Sequence, residues 1–255
     1  MLTGYIIDTG TDINAGTNID TNAGPTGIQA QIKHIGAKPW KNQNSEVHMT
    51  RLYITRHGET IWNTQKRMQG RKDSPLTEKG KQQAVLLSKA LADVELEAIY
   101  SSSSGRTMQT ARIIAGSRNI PIIPLDSLRE INLGEWEGMN TAEADKQYPE
   151  QYRNFWKFPH LYEPVGGENF GDLISRIGET LELLANRHNG KSIMVVTHAV
   201  ILKTIALIVE KKELKDLWSG AFMYPTSLSI IERGGDGWKA VKWGDISHYE
   251  HEKPE

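Results

Sequence analysis

The run Ile193-Met194-Val195-Val196, framed by Ser192 and Thr197, constrains the fold of this chain more than any other segment. A strand with one wet face alternates apolar and polar residues. A strand apolar at successive positions needs cover on both faces, which helices packed on a parallel sheet provide. The chain supplies such helices. Ala84, Leu87, Leu91 and Val94 recur at helical spacing behind Thr77, a residue suited to cap a helix N-terminus. Residues 170–187 carry Leu173, Ile177, Leu181 and Leu184 on one face, and 200–209 form an apolar helix. Further helices are expected over 105–115 and 143–157. Strands are expected over 52–55, 98–101, 227–232 and 239–243, the last two joined by a Gly-Gly-Asp-Gly turn, and an extended segment interrupted by prolines over 120–125. Strands alternating with helices predict an α/β fold with helices on both faces of a mostly parallel sheet.

The first 48 residues do not fit that pattern. Residues 8–27 are mostly Thr, Asn, Asp and Gly, with little to bury against the entropy of ordering. The expectation is a disordered leader over 1–48, native or added for expression, and one domain over 49–255. The 255-residue chain has no Cys and a formal net charge of −1. Disulfide scaffolds, thiolate metal sites and cysteine nucleophiles are excluded, and no basic footprint for nucleic acid is present. No apolar run approaches the roughly 20 residues of a membrane helix, and the N-terminus lacks a secretion signal. A cytoplasmic protein is expected, with no membrane partner, as monomer or homodimer.

In α/β sheets ligands bind beyond the carboxyl ends of the strands. Two strands deliver a histidine there: residues 52–55 lead to His57, and Val196-Thr197 leads to His198. The segment Thr55-Arg56-His57-Gly58-Glu59 combines a nucleophile with a cation. Gly58 is expected to let the chain bend so that Arg56 and His57 reach one site. Its carbonyl can accept from Nδ1–H of His57, leaving Nε2 free to attack phosphorus. Asn63 is placed to donate to a phosphate oxygen. Ser101-Ser102-Ser103-Ser104-Gly105-Arg106 turns into a helix whose free N–H groups form a natural anion site, with Arg106 on the first turn. Residues 129–138 hold three carboxylates, Glu130, Glu135 and Glu137, any of which can serve as a proton donor if desolvated. No metal site is evident, no cofactor is expected, and His248 and His251 are read as solvated tail residues.

At these residues the chain resembles the histidine phosphatase superfamily, which has the fold of cofactor-dependent phosphoglycerate mutase. Residues 56–60, 101–111, 129–138 and 196–199 match its blocks in order over about 49–255. The resemblance implies a three-layer sandwich and a phosphate pocket of His57, Arg56, Arg106 and His198, with Asn63 as a further contact. It also implies Glu130 as the proton donor and Gln69-Gly70 as a border of the substrate site. It departs from the pattern at Ala199, where many relatives have Gly. Residues 155–162 with Leu217-Trp218 and Met223-Tyr224 resemble the broad-specificity phosphatases of bacilli. The short aromatic stretch before Gly166-Gly167-Glu168 stands where mutases carry a longer, basic insertion. Trp156, Tyr162 and Trp218 are then either pocket walls or core. The expected activity is metal-independent hydrolysis of small phosphate monoesters of broad range. The alternatives are a phosphoglycerate mutase or a narrow phosphatase for a ribazole phosphate or sugar bisphosphate.

Overall fold

The computed structural model describes residues 48–249. Residues 1–47 of the leader expected over 1–48, and His251, lie outside the described residues.

Six strands form one sheet in the order β3-β2-β4-β1-β5-β6. They are β1 (Thr50–Arg56), β2 (Ile99–Ser101), β3 (Ile122–Pro124), β4 (Ser192–Thr197), β5 (Leu228–Gly234) and β6 (Gly237–Asp245). The first four run parallel, and β5 and β6 close one side as an antiparallel hairpin. The apolar run 193–196 lies in β4, between β1 and β2, where both faces are buried. Ile193 and Val195 join one core with Leu52, Ile54, Leu173, Ile177 and Ile201. Met194 and Val196 join the opposite core with Tyr53, Ala84, Leu87, Ala111 and Ile114. Period-two alternation along each strand splits these residues between two helical layers. The result is the expected three-layer α/β sandwich. Each fully buried Leu, Ile or Val stabilises it by roughly 1.5–3 kcal/mol.

The described helices are α1 (Ile61–Thr64), α2 (Glu78–Ala90), α3 (Gly105–Ala115), α4 (Thr141–Gln147), α5 (Pro149–Lys157), α6 (Phe170–Arg187) and α7 (Ala199–Val209). Thr77 caps α2 as expected, its side chain accepting from the backbone N–H of Gly80 at 2.9 Å. The helix expected over 143–157 is two helices. Pro149 lacks an N–H and biases Tyr148 away from helical dihedrals, here φ −132° and ψ 55°, so the chain breaks and restarts with Pro149 in the first turn. The extended segment expected over 120–125 forms strand β3 over Ile122–Pro124, with Pro121 O and the Leu125 N–H also bonded to β2. His248 is not a solvated tail residue: it is half-buried in a one-turn 3-10 helix, its ring 4.9 Å from that of Tyr249.

Candidate active site

Register brings the two histidines together. In the parallel pair β1/β4, Arg56 lies opposite Thr197, so the next residue on each strand is a histidine. The backbone N–H of His57 donates to Thr197 O at 3.0 Å. The rings of His57 and His198 stand 5.4 Å apart at 65°. Both are buried beyond the carboxyl edge of the sheet.

Nδ1 of His57 lies 2.8 Å from Gly58 O, so Nδ1–H donates to that carbonyl and Nε2 keeps its lone pair. Burial, then the charges of Arg106 and Arg56, hold the His57 pKa well below the ordinary 6.5. The ring is therefore neutral, as a nucleophile must be. Gly58 is needed for a different reason from the one expected. Its φ is not left-handed. A Cβ there would stand 2.3 Å from Gly80 O, so the requirement is close approach to the start of α2. Thr110 holds this turn by accepting from the Gly58 N–H at 3.1 Å.

Arg106 is almost fully buried, and its donors are nearly all assigned. Nη1 donates to Lys72 O at 2.7 Å and to Asp73 Oδ1 at 2.9 Å. Nη2 donates to Gly70 O at 2.9 Å and to Nδ1 of His198 at 3.0 Å. Of its five N–H donors, only that on Nε is buried with no acceptor among the described residues. Arg56 differs: Nη1 donates to Met223 O at 3.0 Å, and its Nε is again buried without an acceptor. Two unpaired guanidinium N–H groups beside a neutral histidine are costly unless an anion completes them.

The N-terminus of α3 does not form the expected anion site. The carboxylate of Asp73 occupies it, accepting from the backbone N–H of Arg106 at 3.4 Å while pairing with that guanidinium. The protein's own anion offsets the cation on the first helical turn. Gly70 shapes the same loop. It sits at φ +53°, and a Cβ would collide with the Glu137 carboxylate. Gln69 is buried beside it, with Oε1 unpaired. Asn63 Oδ1 accepts from Thr60 N–H in a capping box at α1. Its Nδ2 makes no hydrogen bond among the described residues and remains available as a donor.

The three carboxylates separate cleanly. Glu137 accepts from the backbone N–H groups of Arg71, Lys72 and Leu133, which fixes the 69–73 loop. Glu135 accepts from the Tyr148 hydroxyl. Glu130 alone of the three is buried, accepting from Ile131 N–H at 3.0 Å and Val200 N–H at 3.3 Å. Burial raises its pKa above 4.5, and the two backbone donors with Arg106 and Arg56 pull the other way. Arg176 on α6 braces this segment on both sides, donating to Ser127 O at 2.6 Å and Arg129 O at 3.0 Å. Thr197 ties it to β4 through Leu128 O at 2.8 Å. Sequence reading missed Arg176, Asp73, Thr110 and Ser102, because their roles are contacts between distant segments that no local pattern announces.

The aromatic stretch packs mainly on itself. Tyr162 is core, its ring 5.0–5.5 Å from those of Phe155, Phe170 and Trp136. Trp218 is half-buried, donates through Nε1 to Phe155 O, and lies 4.9 Å from Trp156, whose outer face is exposed.

The pattern of the histidine phosphatase superfamily (branch 1) matches residues 52–246. The chain is 37% identical over 171 residues to "Phosphoserine phosphatase 1" of Hydrogenobacter thermophilus, covering 67% of this chain and 81% of that protein. It is 33% identical to "Metal-independent phosphoserine phosphatase" of Arabidopsis thaliana, over 80% and 84% of the two chains. Among solved structures it is similar to "Bacillus stearothermophilus YhfR", with 48% identity and a TM-score of 0.77 over 79% of this chain and all of that one. This chain therefore belongs to the histidine phosphatase superfamily and is a phosphatase of that type.

Proposed function

We propose that the protein hydrolyses small phosphate monoesters, without a metal, through a phosphohistidine on His57. The observation that supports this most is the neutral His57 flanked by two guanidinium groups, each with a buried N–H lacking an acceptor. The phosphoryl oxygens fit the Nε–H of Arg56, the Nε–H of Arg106 and Nδ2 of Asn63, with His198 bordering the pocket. In the first step the Nε2 lone pair of His57 forms the N–P bond. The ester P–O bond breaks, and Glu130 gives its proton to the leaving oxygen. In the second step the Glu130 carboxylate takes a proton from water. The water oxygen attacks phosphorus, the N–P bond breaks, and its electron pair returns to Nε2 of His57.

Hydrolysis of a broad set of monoesters is favoured over mutase chemistry by how the neighbouring cations are engaged. Arg71 pairs with Glu168 at 3.8 Å, Arg176 with Glu168 at 2.8 Å, and Lys72 Nζ donates to Glu137 O at 2.7 Å. Each of these three cations already has a partner within the protein. Two relatives carry phosphoserine in their names, so phosphoserine belongs in the substrate set.

The test is release of inorganic phosphate from p-nitrophenyl phosphate, phosphoserine and 3-phosphoglycerate, with chelator and without bisphosphorylated primer. Release from several esters, with an acid-labile and base-stable phosphoenzyme, is expected. Primer-dependent isomerisation of 3-phosphoglycerate without phosphate release would overturn the proposal.

A further inference from the structure

We infer that Ser102 is a positioning residue for the phosphate pocket: its hydroxyl accepts from the Nε2–H of His198 and so holds the ring at the angle from which His198 Nδ1 accepts from Arg106. The inference rests on the reading of His57 and Arg106 as phosphoryl-binding groups.

Both ring nitrogens of His198 are engaged. Nδ1 lies 3.0 Å from Nη2 of Arg106, and Nε2 lies 2.8 Å from Oγ of Ser102. A guanidinium only donates, so Nδ1 must be the acceptor and the proton must sit on Nε2. That N–H then donates to Ser102. The hydroxyl donates onward to Ser104 Oγ at 3.3 Å. Ser102 and His198 are fully buried and Ser104 nearly so. Water therefore cannot replace any link cheaply.

The consequence runs through Arg106. The other tautomer, or the imidazolium, would place an N–H of His198 against an N–H of Arg106 at 3.0 Å. Nη2 would be driven away, and with it the guanidinium that also carries the loop carbonyls of Gly70 and Lys72. Burial and the charges of Arg106, His57 and Arg56 already oppose protonation of His198. Neutrality alone leaves two tautomers. Arg106, which only donates, selects the one with the proton on Nε2, and Ser102, by accepting from that N–H, holds the ring in place. Ser103, next in sequence, contrasts with it: exposed, its hydroxyl donates to Asp126 and touches neither histidine.

The test combines long-range ¹H–¹⁵N spectra of His198 with binding of inorganic phosphate and orthovanadate and with turnover of p-nitrophenyl phosphate. In the wild-type protein the spectra should show protonated Nε2 and bare Nδ1. Ser102→Ala should leave the Nε2–H without its acceptor and shift the Nε2 ¹H and ¹⁵N resonances, weaken phosphate and vanadate binding by about tenfold, and lower kcat/KM to match. Ser102→Thr should restore the Nε2–H signature, and Ser103→Ala should behave as wild type in all three readouts. A wild-type spectrum with the proton on Nδ1 overturns the inference, whatever the variants do. So does Ser102→Ala with unchanged Nε2 resonances or unchanged phosphate affinity. The expected change at Nε2 with weakened phosphate binding, in a protein that releases no phosphate from any ester, would leave the role of Ser102 standing and sink the proposed hydrolysis.

Discussion

The sheet carries a buried histidine network at each end, and the two differ in how their hydrogen bonds close. At the amino edge of the parallel strands, His188 ends α6 with Nδ1 2.6 Å from Glu97 and Nε2 2.9 Å from the Tyr100 hydroxyl. At the carboxyl edge, His57 and His198 face each other beside two guanidinium groups. Burial lowers the pKa of all three histidines. At His188 the Glu97 carboxylate opposes that effect, whereas at His57 the arginine charges add to it. The amino-edge network closes on itself: Tyr100 donates to Nε2, and Nδ1–H donates to Glu97. The carboxyl-edge network leaves two guanidinium N–H groups without acceptors. Buried histidine with paired nitrogens is structure. Buried histidine among unanswered cations is a place for an anion.

The largest effect that can break this comparison is on turnover. His57→Ala should lower phosphate release by roughly 10⁴-fold or more and remove the acid-labile phosphoenzyme. His188→Ala should leave turnover near wild type and cost about 1–3 kcal/mol in stability by urea unfolding, since Tyr100 loses its buried acceptor. If His188→Ala were the inactive variant, the assignment of the two ends would be reversed.

Glu130→Gln should reduce turnover of alkyl phosphates by about 10²–10⁴-fold and of p-nitrophenyl phosphate much less, because a good leaving group needs no proton. Burial raises the Glu130 pKa above 4.5, so the acid form persists to higher pH than in a free glutamate. Activity on alkyl esters should fall as pH rises through that shifted value, and the variant should lose this limb. Equal losses on both ester types would remove Glu130 from the acid role. Arg106→Ala should cost about 10²–10³-fold in kcat/KM. Proteolysis should also become faster in the 70–73 loop, whose carbonyls it holds.

Smaller effects sharpen the contrast in pH. A histidine with a depressed folded-state pKa contributes stability that is fully present above its unfolded value of 6.5 and is lost as pH falls through the folded value. Melting temperature should therefore drop as pH falls below 6.5. His57→Asn should flatten that drop more than His188→Asn, because Glu97 partly offsets the shift at His188. The reverse order would mean that the arginine charges do not reach His57. Smallest of all, Tyr100→Phe should cost about 1 kcal/mol of stability and nothing in turnover.

Much of the fold is legible in the chain, because period and cover are local properties. The β4 run, Thr77 as a cap and the apolar face of α6 each state their own requirement. Pro149 was equally legible as a break, but the amphipathic pattern across it suggested one helix. The site divides in the same way. His57 and His198 follow recognisable strands, so their proximity depends only on β1 and β4 being neighbours in register. The proton donor is different. Glu130, Glu135 and Glu137 are alike in sequence, and residue chemistry left the choice open until family resemblance pointed to Glu130. The structure buries that one and gives the other two partners.

By itself, the sequence determined the layer architecture, the strand ends that carry His57 and His198, and the absence of thiol chemistry. These follow from periodicity and composition, which survive without knowing any long-range contact. Tertiary structure decided that Asp73 fills the α3 N-terminus, that Gly58 is required by Gly80, that Tyr162 is core, and that Ser102 and Arg106 share His198 between them. Each of these joins residues from separate segments. Burial decides their energies, and burial exists only once the layers have closed.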